Sequence, residues 1–309
     1  MDAGSPAPAA TQPARPPGRA AAEFSHDTLF RVAVRRFVRH RLAIIGLGII
    51  AVIVGLAVLA PFLTAYSPEM LDLHSIRQPP SPEHLLGTDT LGFDVLSRLV
   101  FGSRTSLVVG FGAVAISIAI GTTLGVLSGF YGGWIDQVIG RLTDTIMSLP
   151  PLLLVIVFVS MVGPSLESVI VVIALLTWPG IARLVRGQYL TLRESEFVTA
   201  ARVVGAPDSA IIFRHLLPNI LGPLSVAATF YTAQAILLEA ALSFLGLGVK
   251  PPTPSWGTMV NQAQNAATLQ LLPWTWLPPA ISIALIVLAI NFVGDGLRDA
   301  LDPRTTRKA

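Results

Sequence analysis

No cysteine occurs among the 309 residues, so disulfides and thiolate chemistry, catalytic or metal-binding, are excluded outright. Charge is scarce as well: Asp, Glu, Lys and Arg make up 13% of the chain, against roughly one quarter in soluble domains. With 52% of its residues hydrophobic, the chain reads as a membrane protein. No Gly-x-x-x-x-Gly-Lys-[Ser/Thr] run is present, so there is no phosphate-cradling loop of that kind and any ATP must be bound by another chain. The five histidines, His26, His40, His74, His84 and His215, lie without ligand spacing, so neither a metal site nor a cofactor is predicted.

What the sequence does have is apolar length. Six stretches, Leu42–Leu63, Ser106–Tyr131, Ile146–Val162, Leu166–Ala182, Leu221–Leu247 and Leu277–Gly294, match the roughly 17 to 25 residues needed to span hydrocarbon. Backbone in lipid must satisfy its hydrogen bonds internally, and runs this long exclude a barrel. The expectation is an all-α membrane protein with six transmembrane helices. Residues 1–26, rich in Ala and Pro, predict a disordered tail rather than a secretory leader. Residues 27–41 predict a basic amphipathic helix in the headgroup region, with Leu29, Val32, Val34 and Phe37 among arginines.

Lys and Arg set the expected orientation. With the N-terminus inside, seventeen fall on inner segments and four (Arg77, Arg98, Arg104 and Lys250) on outer ones, so both termini are predicted to be cytoplasmic. The sequence pI near 9.7 then reflects topology, and no nucleic-acid partner is predicted. Trp274 and Trp276 suit an outer aromatic belt and Trp178 an inner one. Two long polar connections remain, an outer loop at 64–105 and an inner loop at 183–220. The outer loop suits either a cap or receptor contact at the outer mouth, or plain packing on the helix ends.

Within the inner loop, "EFVTAARVVGAPDSAIIFRHLLPN" (Glu196 to Asn219) writes two short helices. Phe197, Ala200, Ala201 and Val204 fall on one helical stripe, with Glu196 and Arg202 off it. Gly205 supplies a left-handed stop, Pro207 a first helical position, and Asp208 complements the positive end of the second helix. Ile211, Ile212 and Leu216 carry that helix's apolar side, Arg214 and His215 lie near its end, and Pro218 closes it. The physical pattern fits either a loop lying on the membrane or a helix that docks into a groove on a soluble partner.

This segment resembles the cytoplasmic loop of ABC importer permeases, whose pattern is Glu-Ala-Ala, three residues, Gly, nine residues, Ile-x-Leu-Pro. The matching positions are Thr199, Ala200, Ala201, Gly205, His215, Leu217 and Pro218, with Thr199 standing for Glu and His215 for Ile. "HLLGTDTLGFDVLSRLVFGSRTSL" (84–107, Phe93 where Arg is usual), "LSFLGLGVKPPTPSWGTMV" (242–260) and "NFVGDGLRDALDP" (291–303) are similar to segments of permeases from dipeptide, oligopeptide and nickel importers. The tail and arginine-rich lead-in are similar to the second, C-type permease of such pairs. The resemblance implies a non-catalytic permease in a bacterial cytoplasmic (inner) membrane. It further implies a second homologous permease, two cytosolic ABC ATPase subunits and an extracytoplasmic solute-binding protein as partners. Peptides are the expected solute, with nickel complexes as the alternative. Coupling would run through Glu196, Thr199, Ala200, Ala201, Gly205, Ala206, Pro207, Asp208, Ser209, Arg214, His215 and Pro218.

Other features leave two readings each. Gly121, Gly125 and Gly129 lie four apart on one helix face, for plain helix packing or for contact with a partner permease near the pathway. Glu239, deep in the fifth span, makes either a structural polar contact or a lining of the pathway. A rival of another class, an ion-driven secondary transporter, would use Glu239 as its ion site. Arg141 and Asp144, three apart, suit a helix-surface pair, as does Arg298 with Asp295 or Asp302.

Overall fold

The computed structural model describes residues 29–301; the predicted tail at 1–26, and Asp302 onward, lie outside them. The amphipathic α1 (Leu29–Arg39) leads into the apolar α2 (Arg41–Leu63) through His40, whose ring Nδ1 accepts the Ala43 N–H at 3.1 Å. The Phe37 ring lies beside Gly296, so the lead-in helix packs against the chain's own last helix as well as presenting arginines outward.

Inside α2, Pro61 has no N–H to close the bond to the carbonyl of Ala57, four residues back. An orphan carbonyl in lipid costs several kcal/mol by transfer scales. Arg104 answers it: its Nε donates to the Ala57 carbonyl and its Nη2 to that of Val58 at 2.9 Å. Arg104→Ala is therefore expected to destabilise the chain by ~1–3 kcal/mol, and adding Pro61→Ala, which restores the missing donor, should recover most of that loss. Unfolding midpoints in detergent for the two single variants and the double measure this. Additive losses would refute the compensation.

α3 (Val95–Tyr131) is 37 residues, about 55 Å at 1.5 Å per residue, and so overruns a ~30 Å hydrocarbon core. It begins eleven residues before the predicted span. Asp94 caps it, accepting the Ser97 N–H at 2.7 Å, and its first turns hide polar side chains against protein: Ser97, Arg98, Ser103 and Thr105 are buried. The polarity that reads as loop in the sequence is helical, and the connection runs from 64 to 94.

The expected third span, Ile146–Val162, is not one helix. α4 (Gly133–Met147) and α5 (Pro151–Val162) meet at 90° across Ser148, Leu149 and Pro150, where proline disfavours helix in the residue before it. α5 alone, at twelve residues, reaches about 18 Å. Among the described residues five helices are thus long and apolar enough to cross a membrane, and six if the bent pair counts as one span. α6 (Leu166–Leu192) runs ten residues beyond the predicted end, so the loop expected from 183 starts at 193.

α7 (Glu196–Val203), α8 (Asp208–Ala210) and a π-helical turn (Ile211–Leu216) lead into α9 (Leu217–Phe244). After it come α10 (Trp256–Asn261), α11 (Ala266–Leu271) and α12 (Pro273–Leu301). α3 and α6 form the tightest pair. A Cβ at Gly121, Gly125 or Gly129 would lie 2.8, 2.6 and 2.7 Å from Ile181 or the Trp178 carbonyl, the Ala182 carbonyl, and the Tyr189 Cβ respectively. These glycines therefore serve contact within the chain. Trp178 is buried against the same face, in the middle of α6 rather than in an inner belt.

The 64–94 segment is packed on helix ends. His84 and Asp94 pair at 2.9 Å, Gln262 donates to Asp89 at 2.7 Å, and the Trp274 indole N–H donates to the Thr88 carbonyl at 3.2 Å. Buried Arg98 lies over the Phe93 ring, 4.3 Å from its centroid. The Ser75 hydroxyl and the His74 N–H hold the Asp72 carboxyl below the ordinary carboxylate value.

Candidate functional site

At the opposite end, residues 193–216 form a knob between α6 and α9. α7 ends in a Schellman motif: the Gly205 N–H donates to the Arg202 carbonyl and the Ala206 N–H to that of Ala201, both at 3.0 Å, with Gly205 at φ +82°. Ala206 packs on the cluster that contains Ala201, supplying the apolar contact that accompanies the motif. Pro207 is extended and caps α8, so the second helix begins at Asp208 rather than at the proline.

The faces of α7 differ from the expected stripe. Val198 and Ala201 point inward, onto Phe130, Ile181, Val185 and Tyr189 of α3 and α6 together with Ile211, Ile212 and Leu216. Phe197, Ala200 and Val204 face out, and Val203 and Val204 are each 82% exposed. The expected stripe is therefore split: Phe197, Ala200 and Val204 point away from the protein, while Ala201 joins Val198 on the line that the bundle covers. Phe213 on the π turn is 66% exposed, and Glu196, Thr199, Pro207, Asp208, Ser209 and Arg214 are exposed around it.

The base of the knob is fixed firmly. The Tyr189 hydroxyl donates to the Ile212 carbonyl at 3.2 Å, reaching from α6 into the π turn, an element that recurs at functional positions. Arg193 donates to the Gly129 carbonyl at 3.2 Å. Arg202 lies over the Phe130 ring, 5.8 Å from its centroid. Arg186 holds Asp136 at 2.7 Å, and the Ser128 hydroxyl donates to the same carboxylate. Asp144 pairs with Arg183 at 2.7 Å instead of with Arg141. The carboxylates of α4 are thus bound to α6, an arrangement that spacing along one helix could not show. Arg298 makes no ion pair with Asp295 among the described residues.

The two departures from the resembled pattern are local. Thr199 donates its hydroxyl to the Ser195 carbonyl at 3.2 Å, and half-buried His215 offers its carbonyl to the Asn219 amide at 2.6 Å.

Glu239 sits apart from the knob. It is fully buried, and its oxygens accept the Ser106 hydroxyl at 3.1 Å and the Ser243 hydroxyl at 2.7 Å. Ser106 also accepts the Trp256 N–H at 3.3 Å, so the carboxyl joins α3, α9 and α10. The sequence offered no sign of these serine partners, which come from 133 residues away and from the next helical turn.

Known proteins resemble this chain over most of its length. The family model for binding-protein-dependent transport system inner membrane components matches residues 121–307. The model for the N-terminal TM domain of oligopeptide transport permease C matches residues 28–80. A putative peptide permease protein of Brucella suis is 46% identical over 272 residues, covering 88% of this chain and 90% of its own. A dipeptide transport system permease protein of Alkalihalophilus pseudofirmus is 45% identical over 275 residues, 89% of this chain and 90% of its own. A glutathione transport system permease protein of Pectobacterium atrosepticum is 40% identical over 278 residues, 90% and 92% respectively.

Proposed function

Because this chain belongs to the family of binding-protein-dependent transport system inner membrane components, as a permease subunit of an ABC importer, we propose that its 193–216 knob docks a separate ATPase. The solute it passes is a peptide. One observation carries the docking: the knob's base is buried and cross-bonded to α3 and α6, while its tip leaves Phe197, Val203, Val204 and Phe213 uncovered. An exposed apolar face next to a rigid base is what a helix-in-groove contact requires.

In this reading both termini and the knob are cytoplasmic, as the distribution of Lys and Arg favours, and the 64–94 segment faces a solute-binding protein outside. A second permease completes the pathway, and two ATPases close on ATP beneath the pair. Their motion reaches α6 and α9 through the knob as a rigid-body shift. The chain itself does no chemistry. Peptide as solute is supported by the relatives' names, which speak of peptide, dipeptide and glutathione transport. An ion-driven mechanism at Glu239 would need that carboxyl to meet water, yet it is enclosed by Ser106 and Ser243.

The native chain lacks cysteine, so Ala206→Cys or Ser209→Cys gives a unique thiol. In membranes holding the complete transporter, either variant is expected to cross-link to an ATPase bearing cysteines around its surface groove, in a yield that changes with ATP. No cross-link at either position would rule out docking.

A further inference from the structure

Gln234 lies ten residues before the end of α9, about 15 Å along the helix axis from it, among apolar residues. Its side chain is exposed and has no hydrogen-bond partner among the described residues. A bare carboxamide facing lipid tails at that depth is unfavourable, so this face of α9 meets water or another polar group. It opens into a cavity of about 520 Å³ between α5, α6 and α9, within the range of small-ligand sites.

Two further observations converge on the same cavity. Met147 and Pro151, which flank the break between α4 and α5, line it. Non-helical backbone at membrane depth is tolerated where it is buried in protein or lines a water-filled space. In addition, the Tyr231 hydroxyl lies over Gly180, where an added Cβ would come within 1.9 Å of it. Gly180, Phe230 and Tyr231 also line a second cavity of about 650 Å³ that continues between α6, α9 and α12 toward Asn291 and Arg298. The two spaces share Gly180, Phe230 and Tyr231 as walls and so lie end to end along α6 and α9 as a track, with no charged side chain lining the part beside Gln234.

We propose that this track is the subunit's share of the solute path, and that Gln234 is a binding position in it for the main chain of a peptide. A carboxamide both donates and accepts, which matches a peptide unit whatever its side chain. The lack of fixed charge leaves side chains unselected. The proposal rests on the reading of the chain as a peptide importer permease and adds a site to it.

The test uses the complete transporter in membrane vesicles. Gln234→Cys is expected to react with a charged, membrane-impermeant thiosulfonate about tenfold faster than Val52→Cys on the exposed apolar side of α2. A casein digest supplied with the binding protein should slow that labelling, and free amino acids at equal concentration should not. Reactivity no greater than at Val52 in any nucleotide state would place Gln234 against lipid or the second permease and overturn the proposal. Labelling that no peptide slows would overturn the peptide site. Gln234→Leu, at an exposed helix position, should keep the Ala206→Cys cross-link to the ATPase while uptake of labelled digest falls about tenfold, the loss of one carboxamide's hydrogen bonds. Unchanged uptake refutes the site alone. Loss of the cross-link in a chain with native Gln234 refutes the docking reading instead.

Discussion

A chain carrying Gly205→Val is expected to assemble in the membrane at normal levels and yet take up solute at about a tenth of the wild-type rate or less. The reason is torsional. Gly205 has φ +82°, and a left-handed conformation costs a β-branched L-residue roughly 1–2 kcal/mol, enough for about a tenfold shift in a two-state equilibrium. Nothing lies within 4 Å of the added Cβ, so crowding does not enter and the strain has one outlet, the Schellman turn. Once the Gly205 and Ala206 N–H groups leave the Arg202 and Ala201 carbonyls, α7 is no longer held at a fixed angle to α8. Gly205→Asn, whose residue type tolerates this region better, should lie between the two. Uptake and binding-protein-stimulated ATP hydrolysis in vesicles measure it, and wild-type values of both in the valine variant would refute the role of the turn.

The second large effect is structural. Gly125→Leu is expected to prevent assembly of the folded chain, because its Cβ alone would stand 2.6 Å from the Ala182 carbonyl and 2.7 Å from the Val185 Cβ. Overpacking typically costs 1–3 kcal/mol, by about one to a few methylenes, and here backbone opposes the insertion, so α3 and α6 must separate. Gly121→Leu should behave alike, against Ile181 and the Trp178 carbonyl. Gly187→Ala, on α6 with open space around it, is the control, expected to be neutral or stabilising by up to ~1 kcal/mol. The yield of folded chain and, where it is recovered, thermal unfolding in detergent rank the three. A Gly125→Leu chain that melts with the wild type would mean the two helices do not pack as described.

Periodicity and residue type carried the reading of the knob some distance and then failed for identifiable reasons. Gly205, Pro207 and Asp208 mark the turn because backbone conformation is a local property. Ile211, Ile212 and Leu216 mark a buried side for the same reason that any amphipathic helix does. α7 misled because it has apolar residues on two sides, and only the positions of Phe130, Ile181 and Tyr189, distant in sequence, decide which side the bundle covers. The polar start of α3 reads as loop because Ser97 and Arg98 look solvated until α10 and the 64–94 segment are in place around them. The glycine ladder is legible as a close contact, but its partner face on α6 is not, since Ile181, Val185 and Tyr189 carry no mark that sets them apart. Gln234 could have been noticed as a lone amide in an apolar run, and the ion pairs from α4 to α6 could not.

The Arg104 bond to α2 also has a consequence for biogenesis. During synthesis α2 leaves the ribosome well before residue 104, which follows the Ala57 carbonyl by 47 positions. A nascent α2 therefore enters the translocon with its proline-freed carbonyl unmatched, and its stable seating in the bilayer waits for the start of α3 to arrive. Insertion of the first hairpin becomes a single step in which the second helix completes the first. A chain truncated before residue 104 should leave α2 sliding toward the interface, where water can take the place of the guanidinium.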